Sequence, residues 1–182
     1  MGMSTVIDGS ASVTINDGTI LGITRGTAVP STSGTSIDFT SIPSWAKRIT
    51  VMFNRVSLSG TSQPLIQLGV SGTPEITGYI SMASMITTTS NVTRGATATS
   101  GFPYAYIGSA ISEYSGSVTL SSFGSNIWTC SGSIVNIPEV FNGTVSGVKS
   151  LAGTLNMIRI TTVGSPATDT FDFGSINIMY EG

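Results

Sequence analysis

The sequence contains no histidine. That absence removes Ser-His-Asp and Cys-His nucleophilic systems, HExxH zinc sites and the side chain that most often acts as a general base near neutral pH. Charge is scarce too: Asp, Glu, Lys and Arg make up 9% of the chain, against roughly 25% in ordinary domains. The basic residues Arg25, Lys47, Arg48, Arg55, Arg94, Lys149 and Arg159 are scattered and the formal net charge is −2. No basic stripe exists to track a phosphate backbone, so nucleic acid is not an expected partner. The single cysteine, Cys130, rules out an internal disulfide and an all-cysteine metal cage. Its place in Trp128-Thr129-Cys130 predicts a buried, inert thiol on a strand. No run of about 18 apolar residues is present, and Met1-Gly2-Met3-Ser4 lacks the basic and apolar blocks of a secretory signal. Membrane insertion and Sec export are therefore not expected, and no cofactor is implied.

What the chain does contain is hydroxyl, amide and apolar side chains. Hydrophobic residues are 40% of the 182, too many for a disordered chain and enough for one core, since a domain of about 150 residues buries roughly 70% of the surface its unfolded chain exposes. A surface with so few charges lacks the repulsion that keeps copies apart, which favours association. Helix formers never accumulate over about 11 residues, because Gly, Ser or Thr interrupts every window. Strand patterns recur instead. Val13-Thr14-Ile15, Asn16-Asp17-Gly18 and Thr19-Ile20-Leu21 read as a hairpin turned by Asp-Gly.

Pro30 and Gly34 punctuate the stretch from Thr24 to Thr40 as a connection. The expected division is an N-terminal assembly arm, residues 1–33, before a main domain, residues 34–182. Ile49, Val51 and Phe53 alternate with polar partners as a half-buried strand, and further strands are expected at 65–70, 76–82, 104–111, 117–120, 126–130, 133–137, 144–148, 154–161 and 170–180. In the last of these, Phe171 and Phe173 alternate out of phase with Ile176, Ile178 and Tyr180, and a β-bulge at Gly174 would return both sets to the core. Eight or more short strands between Gly, Ser and Pro turns predict an all-β fold, a jelly-roll-like antiparallel β-sandwich with an extended N-terminal arm or hairpin.

Residues that could carry chemistry are few. Glu75, Glu113 and Glu139 lie far apart in sequence; two of them meeting across loops would give a paired-carboxylate site, and otherwise they are solvated loop acids. Asp169 and Asp172, three apart, would point to opposite faces of a strand. Gly147-Val148-Lys149-Ser150 resembles only the tail of a phosphate loop and reads as an exposed strand end. The remaining functional hint is aromatic. Tyr104 and Tyr106 share a strand face in the expected strand and Trp128 lies in a polar stretch, so the three are either sandwich-core residues or a surface for a saccharide or partner. Trp45, after Ile42-Pro43-Ser44, is expected to anchor a corner.

The segment from Gly34 to Phe53, Gly-Thr-Ser-Ile-Asp-Phe-Thr-Ser-Ile-Pro-Ser-Trp-Ala-Lys-Arg-Ile-Thr-Val-Met-Phe, resembles a stretch that recurs in tail-fibre and other virion structural proteins of tailed phages of aquatic bacteria. Gly60-Thr61-Ser62 through Leu65-Ile66-Gln67-Leu68-Gly69, and the closing Asp172-Phe173-Gly174-Ser175-Ile176-Asn177-Ile178-Met179-Tyr180-Glu181, are similar to the same group. The resemblance implies a jelly-roll-like sandwich, often a homotrimer, assembled in the host cytoplasm with other virion proteins and displayed on the virion surface. The resemblance is to a domain type and not to one role; the leading expectation is a non-enzymatic fibre or spike component in host attachment, with a host cell-surface glycan as a candidate partner. Two alternatives remain: a capsid decoration protein clamping neighbouring subunits through the arm, and a polysaccharide depolymerase using two of the glutamates.

Overall fold

The computed structural model describes residues 13–15, 18–20, 22–87, 93–106, 109–138, 140–164 and 167–182, and among these every regular element is a β-strand. The strands are β1 (Val13–Ile15), β2 (Gly18–Ile20), β3 (Thr24–Arg25), β4 (Val29–Pro30), β5 (Ile37–Thr40), β6 (Arg48–Leu58), β7 (Pro64–Val70) and β8 (Thr73–Pro74). They continue as β9 (Tyr79–Thr87), β10 (Thr93–Ala98), β11 (Phe102–Pro103), β12 (Glu113–Gly124), β13 (Ile127–Ile137), β14 (Phe141–Ser150), β15 (Leu155–Thr162) and β16 (Phe171–Glu181). The period-two pattern explains most of them. Along β14, for example, Phe141, Gly143 and Val145 are buried while Asn142, Thr144 and Ser146 are exposed.

Two antiparallel sheets pack face to face. The large sheet runs β10-β9-β14-β13-β12-β6-β16, with β3 and β4 on the far side of β16; the small one runs β11-β7-β15-β5, with β8 on β7. N-terminal strands pair with C-terminal ones in a nested series, β6 with β16, β7 with β15 and β9 with β14. Successive pairs alternate between the sheets, which is the jelly-roll-like element of the fold. The β12-β13-β14 meander inserted in the large sheet sets it apart from a regular jelly roll. Ile49, Val51, Val118, Leu120 and Ile176 from the large sheet meet Ile66, Leu68, Ile158 and Ile160 from the small one in a single core. Near its centre Phe53 stacks on Tyr104, ring centroids 4.4 Å apart, and Tyr104 meets Tyr114 edge-on.

Several boundaries differ from the sequence expectation. The N-terminal hairpin forms, β1 antiparallel to β2, while its turn residues Asn16 and Asp17 lie outside the described residues. The break expected near residue 33 falls too late, because β3 and β4 already pair with β16 and Ser31, fully buried, donates from its hydroxyl to Phe173 O at 2.8 Å. The strands expected at 126–130 and 133–137 are one strand, β13, since Ser131 and Gly132 sit in register against Ser146 and Val145 without a turn. The expected strand 104–111 is absent among its described residues. Gly101 to Ala105 are consecutively buried, a run no half-buried strand allows, and only Phe102–Pro103 pair with β7.

The C-terminal strand carries the expected irregularity at Gly174, where its register with β6 shifts and φ is +94°. β6 answers with a bulge of its own: Arg55 has φ +53° and its N–H donates to Ser115 Oγ. The two bulges return Ile176 and Ile178 to the core with Phe171, but Phe173 turns outward at 45% exposure beneath the Arg55 guanidinium. The expectation that both phenylalanines share the core is corrected accordingly.

Candidate functional site

The outer face of the large sheet accounts for the low charge. In register across it run Ser84, Thr144, Ser133 and Ser117, and one step along run Ser146, Ser131, Thr119 and Thr50. Some of these hydroxyls are bonded across strands: Ser84 Oγ to Thr144 Oγ1 at 2.8 Å, and Ser133 Oγ to Asn142 Oδ1 at 2.9 Å. Toward the β10 edge this polar field gives way to apolar side chains, with Ile80, Met82 and Ile86 of β9 at 75%, 47% and 60% exposure.

The three aromatic residues singled out in the sequence do not come together. Tyr104 is 1% exposed and enclosed by Phe53 and Tyr114. Its hydroxyl has no hydrogen-bond partner among the described residues, and burial pushes the phenol well above its ordinary range. Trp128 is 5% exposed and belongs to the same core. Tyr104 has no face free to stack on a sugar; Trp128 borders a small cleft of about 210 Å³ with Pro43, Lys47 and Asn126, but is almost wholly buried, and core packing accounts for both rings. Tyr106 is different. It is half-buried and lines a shallow groove of about 330 Å³ with Thr61, Ser62, Gln63, Ala96 and Val163. Gln63 fixes the groove wall, its Nε2 donating to Tyr106 O at 3.1 Å and more weakly to Ala105 O at 3.4 Å. Asp169 fixes the adjoining loop by accepting a 2.7 Å bond from Ser62 N–H.

A larger cleft of about 450 Å³ lies over the small sheet, its floor including Gln67, Arg159 and Thr161. Val163 and Gly164, adjacent in the chain, line one cavity each. Asp38, Arg159 and Gln67 form a single rung across β5, β15 and β7. Arg159 grips Asp38 in a bidentate pair, Nε to Oδ1 and Nη2 to Oδ2, both at 2.7 Å. That hydrogen bonding and the carboxylate's charge raise the guanidinium pKa against a smaller opposing effect of burial.

The glutamates are held apart by basic partners. Glu75 pairs with Lys149 and Glu113 with Arg55, while Glu139 lies outside the described residues. Lys149 is not the exposed strand end expected of it. It occupies an inward position of β14 at 6% exposure, over the Tyr79 ring at 5.4 Å, and donates to Ser150 O. Burial pushes the Glu75 carboxyl up, but the Lys149 and Ala152 hydrogen bonds and the Lys149 charge together outweigh it, and the net shift is downward. Cys130 is buried as expected, its thiol pushed up by burial alone. Trp45 packs edge-on against Tyr180 at the 43–46 corner. No group of three or more potential metal-ligating side chains occurs among the described residues.

Fold and surface together define the class: a two-sheet all-β sandwich with a hydroxyl-rich face and open clefts on its surface. Compared with protein-family models, with curated proteins and with solved structures, the chain matches none of them.

Proposed function

We propose that this chain is a virion surface protein of a tailed phage, a fibre or spike component that contributes to host attachment as a homotrimer. The observation that carries the reading is where the resembling segments lie. The first two, close together in sequence, supply β5, most of β7 and part of β6, and the third, at the other end of the chain, supplies β16 beside β6, so the likeness draws on both sheets of one sandwich. The surface is of the kind such a role needs. It is polar with little charge, and open grooves beside a half-exposed tyrosine suit hydroxyl-rich ligands. For self-association, Ile80, Met82 and Ile86 beside β10, whose outer edge is unpaired among the described residues, offer an apolar rib that a second copy would cover.

The decoration alternative is the weaker one, because residues 24–30, counted in the clamping arm from sequence, are already paired with β16 of the same chain. Replacing Tyr106 by Ala tests the attachment reading. Binding of the purified protein to host cells should fall about tenfold or more, the cost of removing one aromatic anchor, with the melting temperature little changed. Unchanged cell binding by the folded variant would remove Tyr106 from the account.

A further inference from the structure

The cleft over the small sheet has a larger polar share in its mixed lining than the Tyr106 groove, and a compensated ion pair reaches it through Arg159. Two of the five N–H donors of the Arg159 guanidinium engage Asp38, which leaves three for other acceptors. Gln67, 6% exposed, is held in place by its Nε2 bond to Ser100 O at 2.9 Å. Thr161 Oγ1 is fixed by donation to Thr35 O at 2.9 Å, and Ser36 adds another hydroxyl. Ile76, at 48% exposure, stands at the margin as an apolar contact. The volume of about 450 Å³ falls in the range of roughly 300–1,000 Å³ that small-molecule sites occupy.

We infer that this cleft binds a neutral pyranoside, with the Arg159 guanidinium donating to a ring hydroxyl and Asp38, paired with it from outside the lining, cancelling its charge. The charge balance selects the ligand class. An anion drawn to Arg159 is opposed by the Asp38 carboxylate paired with it, whereas a hydroxyl takes up the remaining guanidinium donors without altering the balance. Gln67 and Thr161 add hydrogen bonds from the cleft floor, and Ile76 supplies contact for the C–H face of the ring. The inference deepens the attachment reading and rests on it for its biological meaning.

Amide and guanidinium NMR signals of the full chain, titrated with methyl glucoside, galactoside and mannoside and separately with methyl glucuronide, test it. At least one neutral glycoside should shift the Ser36, Thr161, Gly164 and Arg159 Nε–H signals saturably, with a dissociation constant in the millimolar range, and the glucuronide should bind about tenfold more weakly. Asp38→Asn, which leaves the Arg159 charge uncompensated, should raise binding of the glucuronide about tenfold. Ile76→Ser, at an exposed position that leaves the fold intact, should weaken binding of the neutral glycoside severalfold and keeps the test open should Asp38→Asn fail to fold. No saturable shift at about 100 mM of any neutral glycoside, equal binding of the glucuronide, or shifts confined to the Tyr106 groove would each overturn the inference. If the cleft fails in this way while Tyr106→Ala still lowers cell binding, the attachment reading stands without it; if both fail, the reading fails with it.

Discussion

Gly174→Val should lower the stability of this protein by about 3 kcal/mol, a loss of roughly 10 °C in melting temperature for a domain of this size. Gly174 has φ +94°, a backbone conformation that a β-branched residue adopts only with strain, and a Cβ there would overlap the Arg55 carbonyl oxygen. Neither strand can yield freely. Arg55 is itself bulged with φ +53° and anchored by its N–H bond to Ser115 Oγ, and Gly174 O accepts from Ser31 N–H at 2.9 Å. The substitution therefore opposes the pairing of β6 with β16 at the position where both strands change phase, and that phase change is what brings Phe171, Ile176 and Ile178 onto one core face. Thermal unfolding of the variant beside the parent measures the effect; a shift below about 2 °C would mean that the paired bulges are not required in this form.

Lys149→Ala should cost about 3 kcal/mol, in the range found when one partner of a buried ion pair is removed. Lys149 is 6% exposed and Glu75 is partly so, and the pair, 2.5 Å apart, ties the segment before β9 to the end of β14, with Ala152 N–H adding a 2.8 Å bond to Glu75. The alanine leaves the Glu75 carboxylate without its cation and strips packing from the Tyr79 ring. Lys149→Met, which keeps the volume, should recover part of the loss. The pH dependence separates charge from packing. Because the Glu75 carboxyl is held below its ordinary 4.5 in the folded chain, the native state takes up that proton less readily than the unfolded one. The pair therefore stabilises the fold above that ordinary value, and its contribution is lost as pH falls through the folded value. Unfolding measured from pH 7 down to pH 3 should show the gap between parent and Lys149→Met narrowing toward acid. A gap constant with pH would assign the effect to packing alone.

Much of the fold was legible because most strands are half-buried and announce themselves by alternation, as in Ile49-Val51-Phe53 and Phe141-Gly143-Val145. The bulge at Gly174 was visible as a change of phase. The direction of Phe173 was not, since it depends on a second bulge in β6, contributed by Arg55, a residue nothing local marks for positive φ. Tyr104 and Tyr106 illustrate a false alternation. Tyr-Ala-Tyr reads as a strand face, yet the ladder with β7 stops after Pro103, with one last bond from Tyr104 N–H to Pro64 O, and one ring is buried while the other is left at a groove.

The inward place of Lys149 was recoverable, because it keeps parity with Phe141 and Val145 along one strand; its partner Glu75 was not. The same holds for the cleft over the small sheet. Parity with Ile37 and Phe39 puts Asp38 on the outer face, but its meeting with Arg159, 121 residues away, and with Gln67 beyond is a property of strand order, which composition does not carry.

The proposed role requires placement on the virion as a projecting attachment component. Immunogold labelling of intact particles with an antibody raised against residues 34–182 tests it most directly. A projecting attachment component gives label at the tail or on projecting fibres; label spread evenly over the head, or none on the particle, would contradict that role.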